Sequence, residues 1–170
     1  MKAITIKQPY ASLIVSGIKD IENRSWKTNF RGRVLIHASG CRGKNFNIKL
    51  TDSQMIEAFP FIGKKCFLGD IPFGAIIGSV EIKDCVQNHP SIWAEKGMYH
   101  WVLAYPWAFP EPIPAKGRLS FWEYAGIQES ELDEDGHKVC MYTMNVEEKA
   151  QVMRMIDHFE CRYCGGRWYK

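Results

Sequence analysis

The sequence predicts an α+β domain, a small β-barrel with short flanking helices. Most of its apolar segments are short and typical of strands, and the segments with helical spacing between them are also short. Residues 73–82 are the strongest strand signal, and their two glycines indicate bends or a close approach of backbone. A chain of 170 residues with 46% hydrophobic content is long enough to form one domain with a substantial core.

The N-terminal third begins with a predicted strand over residues 3–7. A helix follows, because Tyr10, Leu13 and Ile14 recur at helical spacing. Proline suits the first helical position and glycine the C-terminal stop, so Pro9 and Gly17 are expected to bound this helix.

A charged strand is predicted after the helix. Asp20, Glu22 and Arg24 alternate with other residue types, and side chains at every second position of a strand point to one face. We therefore expect Glu22 and Arg24 on the same side, with Lys19 at the strand entrance.

The remaining predicted elements of the barrel are mainly strands. Thr51 or Asp52 can cap a short helix ending at Ala58, and residues 60–72 are expected to be irregular because they contain glycines and flanking prolines. Further strands or extended segments are predicted at residues 34–38, 73–82, 100–105, 111–114 and 117–122.

An acidic break at residues 129–136 is the best candidate domain boundary. We predict a domain over residues 1–125. Residues 126–170 are predicted to be an acidic linker and a C-terminal helical extension, packed on or appended to the domain, with its helix at residues 146–159.

The net charge of +3 conceals an asymmetry, because the first 50 residues hold ten lysines and arginines against two acidic residues. This basic third favours an anionic partner such as nucleic acid, although a solvated surface is an equal alternative. No apolar run is long enough to cross a bilayer, and the N-terminus alternates like a strand rather than a signal peptide. We expect a cytoplasmic protein without membrane association.

The six cysteines are then expected to be free thiols or metal ligands rather than disulfides. His158, Cys161 and Cys164 have ligand-like spacing, and Cys140 or His137 could complete a zinc site. A single Cys-x-x-Cys without a second pair favours a free-thiol end instead. We therefore predict no metal and no cofactor.

The chain resembles the ASCH family through three features. Gly17-x-Lys19-x-x-Glu22-x-Arg24 matches the family motif G-x-K-x-x-E-x-R. Residues 8–13, 24–26 and 31–33 are similar to the cointegrator subgroup, and segments at 78–81, 99–103 and 112–117 are similar to later strands of the same domain. The resemblance covers about residues 3–123.

This resemblance implies a PUA-like fold in which the motif lines a cleft that recognises RNA or a nucleotide-like small molecule. Aromatic side chains near the motif could stack on unpaired bases, although each is more often part of a core. Glu22 would either fix its cationic neighbours or accept hydrogen bonds from a base. The expected ligand-binding residues are Gln8, Lys19, Glu22, Arg24, Trp26, Arg31 and Arg33.

Whether the protein is an enzyme stays open. Some family members are amidohydrolases acting on N4-acetylcytidine, and the resemblance carries their lysine and glutamate to Lys19 and Glu81. Their threonine position falls on Glu22, so a hydrolase would need Glu22 or Glu81 to activate water. A ribonuclease using His37 and His100 is a further alternative. The cointegrator resemblance also allows a protein-interaction module, with partners unknown.

Overall fold

The computed structural model of the chain describes residues 1–40, 50–67, 71–127, 158–160 and 167–169. The chain divides into two compact units, Met1–Tyr124 and Ala125–Lys170. The elements of the first unit are β1 (Lys2–Ile6), α1 (Tyr10–Val15), β2 (Ile21–Arg24), β3 (Gly32–Ala38), α2 (Asp52–Phe67), β4 (Ala75–Val86), β5 (Tyr99–Pro114) and β6 (Phe121–Glu123).

The six strands form one mixed sheet in the order β2-β5-β4-β3-β1-β6. Only β1 and β3 pair in parallel; the other neighbours are antiparallel. The sheet is strongly curled, because Trp101 on β5 stacks on Phe121 of β6 with ring centroids 5.1 Å apart, although three strands separate β5 from β6. The result is a half-barrel, which confirms the predicted α+β class.

The core lies inside this curl and beneath α1. Gly78 of β4 allows the helix to approach, because a Cβ atom there would lie 2.8 Å from Val15 Cγ1 and 2.2 Å from the carbonyl oxygen of Trp107. This position therefore has the close approach that the sequence predicts for the glycines of residues 73–82. The largest fully buried side chains include those of Ile4, Leu13, Ile14, Ile36, Ile82 and Trp101.

Helix α1 ends at the predicted glycine. Gly17 has a φ of 78°, and its N–H donates to the carbonyl of Ile14 at 3.0 Å, while the N–H of Ile18 donates to that of Leu13 at 3.0 Å. These two bonds form a Schellman motif, which requires a left-handed residue that glycine adopts without strain. The turn sends the chain directly into β2.

Helix α2 is longer than predicted. Thr51 and Gln54 form a capping box, in which the Thr51 N–H donates to Gln54 Oε1 at 3.1 Å and the Gln54 N–H donates to Thr51 Oγ1 at 3.3 Å. The helix then continues through Pro60 to Phe67, so the prediction of irregular structure over residues 60–67 was wrong. Tertiary packing can outweigh a local breaker, and Ala58 is fully buried against the core.

The second unit contains a two-stranded antiparallel sheet of β7 (His158–Glu160) and β8 (Arg167–Tyr169). The predicted helix over residues 146–159 is therefore wrong at His158 and Phe159, which are extended. The rest of that helix and the acidic break at 129–136 lie outside the described residues. Among the helices that are described, none has the length and apolar character to cross a membrane.

Candidate functional site

Three charged residues of the motif meet in one buried network. Lys19 Nζ lies 3.0 Å from Glu22 Oε2 and also donates to the carbonyl oxygen of Ile21. The Lys19 side chain is 4% exposed and that of Glu22 is 11% exposed, so both charges are largely removed from water. A buried carboxylate needs such partners, because leaving it unpaired costs several kcal/mol. The predicted placement of Lys19 at the entrance of β2 is correct.

Arg24 closes the network on the other side of the carboxylate. Its Nε atom lies 3.2 Å from Glu22 Oε1, an ion pair by distance whose N–H direction does not meet hydrogen-bond geometry. Its terminal nitrogen donates to the carbonyl oxygen of Thr5 at 3.2 Å, and its guanidinium lies 5.6 Å from the ring centroid of Trp101. Glu22 and Arg24 thus share one face of β2, as the alternation predicts.

The network borders a cavity of about 690 Å³. This volume falls within the range of about 300–1,000 Å³ typical of small-molecule sites. The hydrogen bond from Arg24 to Thr5 joins β2 to β1, and these strands belong to opposite sides of the curled sheet. The cavity lies where the two sides approach each other, because residues of β1, β2 and the segments at 92–95 and 118–120 line it.

The segment at 92–95 is a part of the site that was not predicted from the sequence. Asn23 of β2 holds it: Asn23 Nδ2 donates to the Trp93 carbonyl at 2.8 Å and to Glu95 Oε1 at 3.3 Å, and the Glu95 N–H donates to Asn23 Oδ1 at 3.2 Å. The Trp93 indole N–H donates to the Ile18 carbonyl at 2.9 Å. A tryptophan within a polar connection was the available signal in the sequence.

Tyr10 lines the cavity together with Trp93, and it precedes the motif on α1. Burial raises the pKa of its phenol, and the negative charges of Glu95 and Glu22 raise that pKa further. The Tyr10 hydroxyl is therefore protonated across the neutral pH range and can act as a donor. Lys19 Nζ lies 5.9 Å from the Tyr10 ring centroid, so the ring also faces the buried network.

Gln8 and Trp26 lie outside the cavity lining. Gln8 is buried, where it accepts from the Ser12 N–H at 3.1 Å and donates to the Pro72 carbonyl at 2.8 Å. Trp26 packs edge-on against Trp101, with ring centroids 4.7 Å apart. Both residues support the fold around the motif.

Arg31 and Arg33 are also placed away from the cavity lining. Arg31 is exposed and forms an ion pair with Asp84 at 2.7 Å. Arg33 is buried on β3 and donates to Ser79 Oγ at 3.0 Å. Of the seven predicted ligand-binding residues, the structure brings Lys19, Glu22 and Arg24 together around the cavity.

The three residues of the hydrolase hypothesis are not assembled in one place. Lys19 and Glu22 line the cavity, whereas Glu81 does not. Glu81 is on β4, which β5 separates from β2, and its carboxylate pairs with Lys83 at 3.0 Å. Of the two carboxylates in this hypothesis, Glu22 is therefore the one that lies next to the Lys19 ammonium.

The two histidines of the ribonuclease alternative have structural partners. His100 Nδ1 accepts from the His89 N–H at 3.1 Å, and its Nε2 donates to the Glu95 carbonyl at 2.9 Å. His37 is 1% exposed and its Nε2 lies 3.0 Å from the Ala115 carbonyl oxygen. Both rings are buried in the fold and neither lines the cavity.

The predicted metal candidates cannot be placed together. Cys140, Cys161 and Cys164 lie outside the described residues, and His158 is in β7. Over the part of the chain that is described, no three histidine, cysteine or acidic side chains form a group that could hold a metal ion. Cys85 is a buried free thiol that accepts from the Thr28 N–H.

The curled six-stranded sheet, its two short helices and the cavity beside the motif strand define a small α+β barrel of the PUA-like class. The chain belongs to the ASCH domain family, whose sequence model matches residues 4–150. That match extends beyond residue 125, the predicted end of the domain.

Two curated relatives carry this domain. The chain is 31% identical over 129 residues to mouse activating signal cointegrator 1, covering 71% of this chain and 22% of the relative. The identity to the human protein of the same name is 30% over 129 residues, with the same coverage. The chain thus spans about a fifth of the length of the curated relatives it matches.

Proposed function

We propose that the protein binds RNA or a nucleotide-like ligand in the cavity beside the motif strand. The observation that carries the proposal is the meeting of Lys19, Glu22 and Arg24 in one network at the cavity wall. The basic N-terminal third of the chain supports an anionic ligand, because an excess of positive charge attracts such molecules to the protein.

Within the network, Arg24 is the group best suited to contact the ligand. Its side chain is 22% exposed, against 4% for Lys19 and 11% for Glu22. A guanidinium presents a planar array of donors that matches a phosphate or the edge of a base. Glu22 pairs with Arg24 through Oε1, and Lys19 neutralises the same carboxylate at Oε2.

The position of Glu22 supports one of its two predicted roles. Both of its oxygens face cationic neighbours, Lys19 at 3.0 Å and Arg24 at 3.2 Å. A carboxylate paired in this way fixes the geometry of the cations. We therefore assign Glu22 to positioning Arg24, and we do not propose the amidohydrolase alternative, since Glu81 lies away from this pair.

A cytoplasmic location is part of the proposal.

The test measures the binding of a short single-stranded RNA by fluorescence anisotropy at several salt concentrations. We expect Arg24→Ala to weaken binding about tenfold, which corresponds to about 1.4 kcal/mol. Affinity should also fall steeply with salt, as it does when cationic groups contact phosphates.

Arg31→Ala is the matched control, because it removes the same charge from an exposed arginine outside the cavity. We expect its effect to stay below about twofold. Arg24→Lys keeps the positive charge but loses the planar donors of the guanidinium. Thermal unfolding of each variant tests whether its fold is intact. Unchanged binding in Arg24→Ala, or equal losses in both alanine variants, would remove the cavity from the recognition surface.

A further inference from the structure

One wall of the cavity carries only cations, whereas the other carries charges of both signs, because Lys19 and Arg24 lie there with Glu22 and Glu95. One wall belongs to β1 and to the segment at 118–120 that leads into β6, at one end of the sheet order. The other belongs to β2, at the opposite end, and to the segment at 92–95 that Asn23 holds against it. Lys7 and Arg118 line the cavity from the first wall, and Glu95 lines it from the second. All three side chains are exposed, so they can reach a ligand without displacing a buried partner.

The position of the cationic wall follows from strand pairing. β1 and β6 are antiparallel, with Ala3 opposite Trp122 and Ile4 opposite Phe121. The end of β1 therefore lies beside the start of β6. Lys7 follows the last residue of β1 and Arg118 precedes β6, so both extend from the same wall of the cavity.

The position of Glu95 in the second wall is fixed by hydrogen bonds. Asn23 binds both the side chain and the backbone N–H of Glu95, at 3.3 Å and 3.2 Å, so the loop that carries this carboxylate is held against β2. Tyr10 lines the same cavity, and burial, followed by the negative charge of Glu95, raises its pKa. The negative charge of Glu95 thus acts on a group inside the cavity.

We propose that the cavity binds a nucleotide in one orientation, with its phosphate at Lys7 and Arg118 and the N–H donors of its base at Glu95. The inference rests on the proposed function and adds the orientation and the class of ligand. A phosphate is attracted by the two cations and repelled by Glu95. The Glu95 carboxylate only accepts hydrogen bonds, so it suits the N–H donors of a base.

Guanine is the base that suits this arrangement best. Its Watson–Crick edge presents two adjacent N–H donors, which a carboxylate can accept with both oxygens, and unpaired RNA bases are recognised along that edge. Uracil presents a single N–H donor between two carbonyls, which the Glu95 carboxylate would repel. The polarised cavity therefore favours a guanosine nucleotide over a uridine nucleotide and over a free nucleoside.

Calorimetric titration of guanosine monophosphate and guanosine tests the phosphate position. We expect the protein to bind the monophosphate at least tenfold more tightly, and Lys7→Ala/Arg118→Ala to abolish that preference while the affinity for guanosine is kept. Lys27→Ala/Lys83→Ala is the control, because it removes two exposed lysines outside the cavity and should preserve the preference. A preference that survives in the Lys7/Arg118 double variant would overturn the phosphate position.

Glu95→Gln tests the base position with little change in size. We expect it to weaken the affinity for guanosine monophosphate about tenfold and to change the affinity for uridine monophosphate less than twofold. Glu111→Gln, an exposed control, should change neither affinity. Equal effects on the two nucleotides, or none, would contradict the assignment of Glu95.

The two proposals fail in different ways. If single-stranded RNA binds through Arg24 but the monophosphate shows no advantage over guanosine, the orientation is wrong and the proposed function stands. If RNA, nucleotides and nucleosides all fail to bind the unmodified protein, both proposals are wrong.

Discussion

Lys19 Nζ lies 3.0 Å from Glu22 Oε2, and both side chains are buried beside the cavity. The pair is local in sequence but owes its burial to the surrounding fold. The Schellman turn at Gly17 ends α1 just before Lys19, and the antiparallel pairing of β2 with β5 places Glu22 opposite Trp101. A short stretch of sequence thus supplies both charges, and the folded barrel removes them from water.

Breaking this pair should be costly. Lys19→Met leaves the buried Glu22 with Arg24 as its remaining cationic neighbour, and we expect the free energy of unfolding to fall by about 3 kcal/mol. Urea denaturation measures the change. The double variant Lys19→Met/Glu22→Gln should lose less stability than the sum of the losses in the two single variants, because the second substitution removes the uncompensated charge. Additive losses would show that the pair is not coupled.

Gly78→Ala should destabilise the protein by about 3 kcal/mol, because the new Cβ atom would overlap the Trp107 carbonyl oxygen and crowd Val15. The measurement is the midpoint and slope of urea unfolding. Gly40→Ala is a suitable comparison, since its nearest contact to a Cβ atom is 3.6 Å, and we expect little change there. Similar losses in both variants would argue against the tight packing of α1 on β4.

Thr51→Ala removes the hydroxyl of the capping box at the start of α2 and should cost about 1 kcal/mol. Thr51→Ser retains a hydroxyl and should restore most of this stability, which chemical denaturation can compare directly. If serine is as destabilising as alanine, the loss comes from the missing methyl group and not from the cap.

Stability should also depend on Asp84 in acid. A hydrogen bond from the Cys85 N–H, followed by the bond from Arg31, lowers the pKa of Asp84 from its ordinary value of 3.8. A carboxylate with a lowered pKa stabilises the folded state above its unfolded pKa, and this contribution disappears as the pH falls through the folded-state pKa. The wild type should therefore exceed Asp84→Asn in stability at pH 7, and the difference should narrow below pH 3.8. Unfolding curves of the two proteins at neutral and acidic pH measure it, and a constant difference would exclude the pKa as its cause.

The local features of the N-terminal third could be predicted because short-range rules determine them. Gly17 ends α1 since a left-handed residue is needed there, and alternation along β2 places Glu22 and Arg24 on one face. The extension of helix α2 beyond Ala58 could not be predicted in this way. Pro60 is a local breaker, and the burial of Ala58 against other elements is not visible in the local pattern.

The sequence by itself therefore determined the class of fold, the family and the charged motif, because these depend on spacing and residue type. Only the tertiary structure decided which charges share a cavity. The curl of the sheet brings Thr5 of β1 to Arg24 of β2, and it leaves Arg31 and Glu81 elsewhere. Contacts between distant segments depend on how the whole core packs, and no local pattern in the chain specifies them.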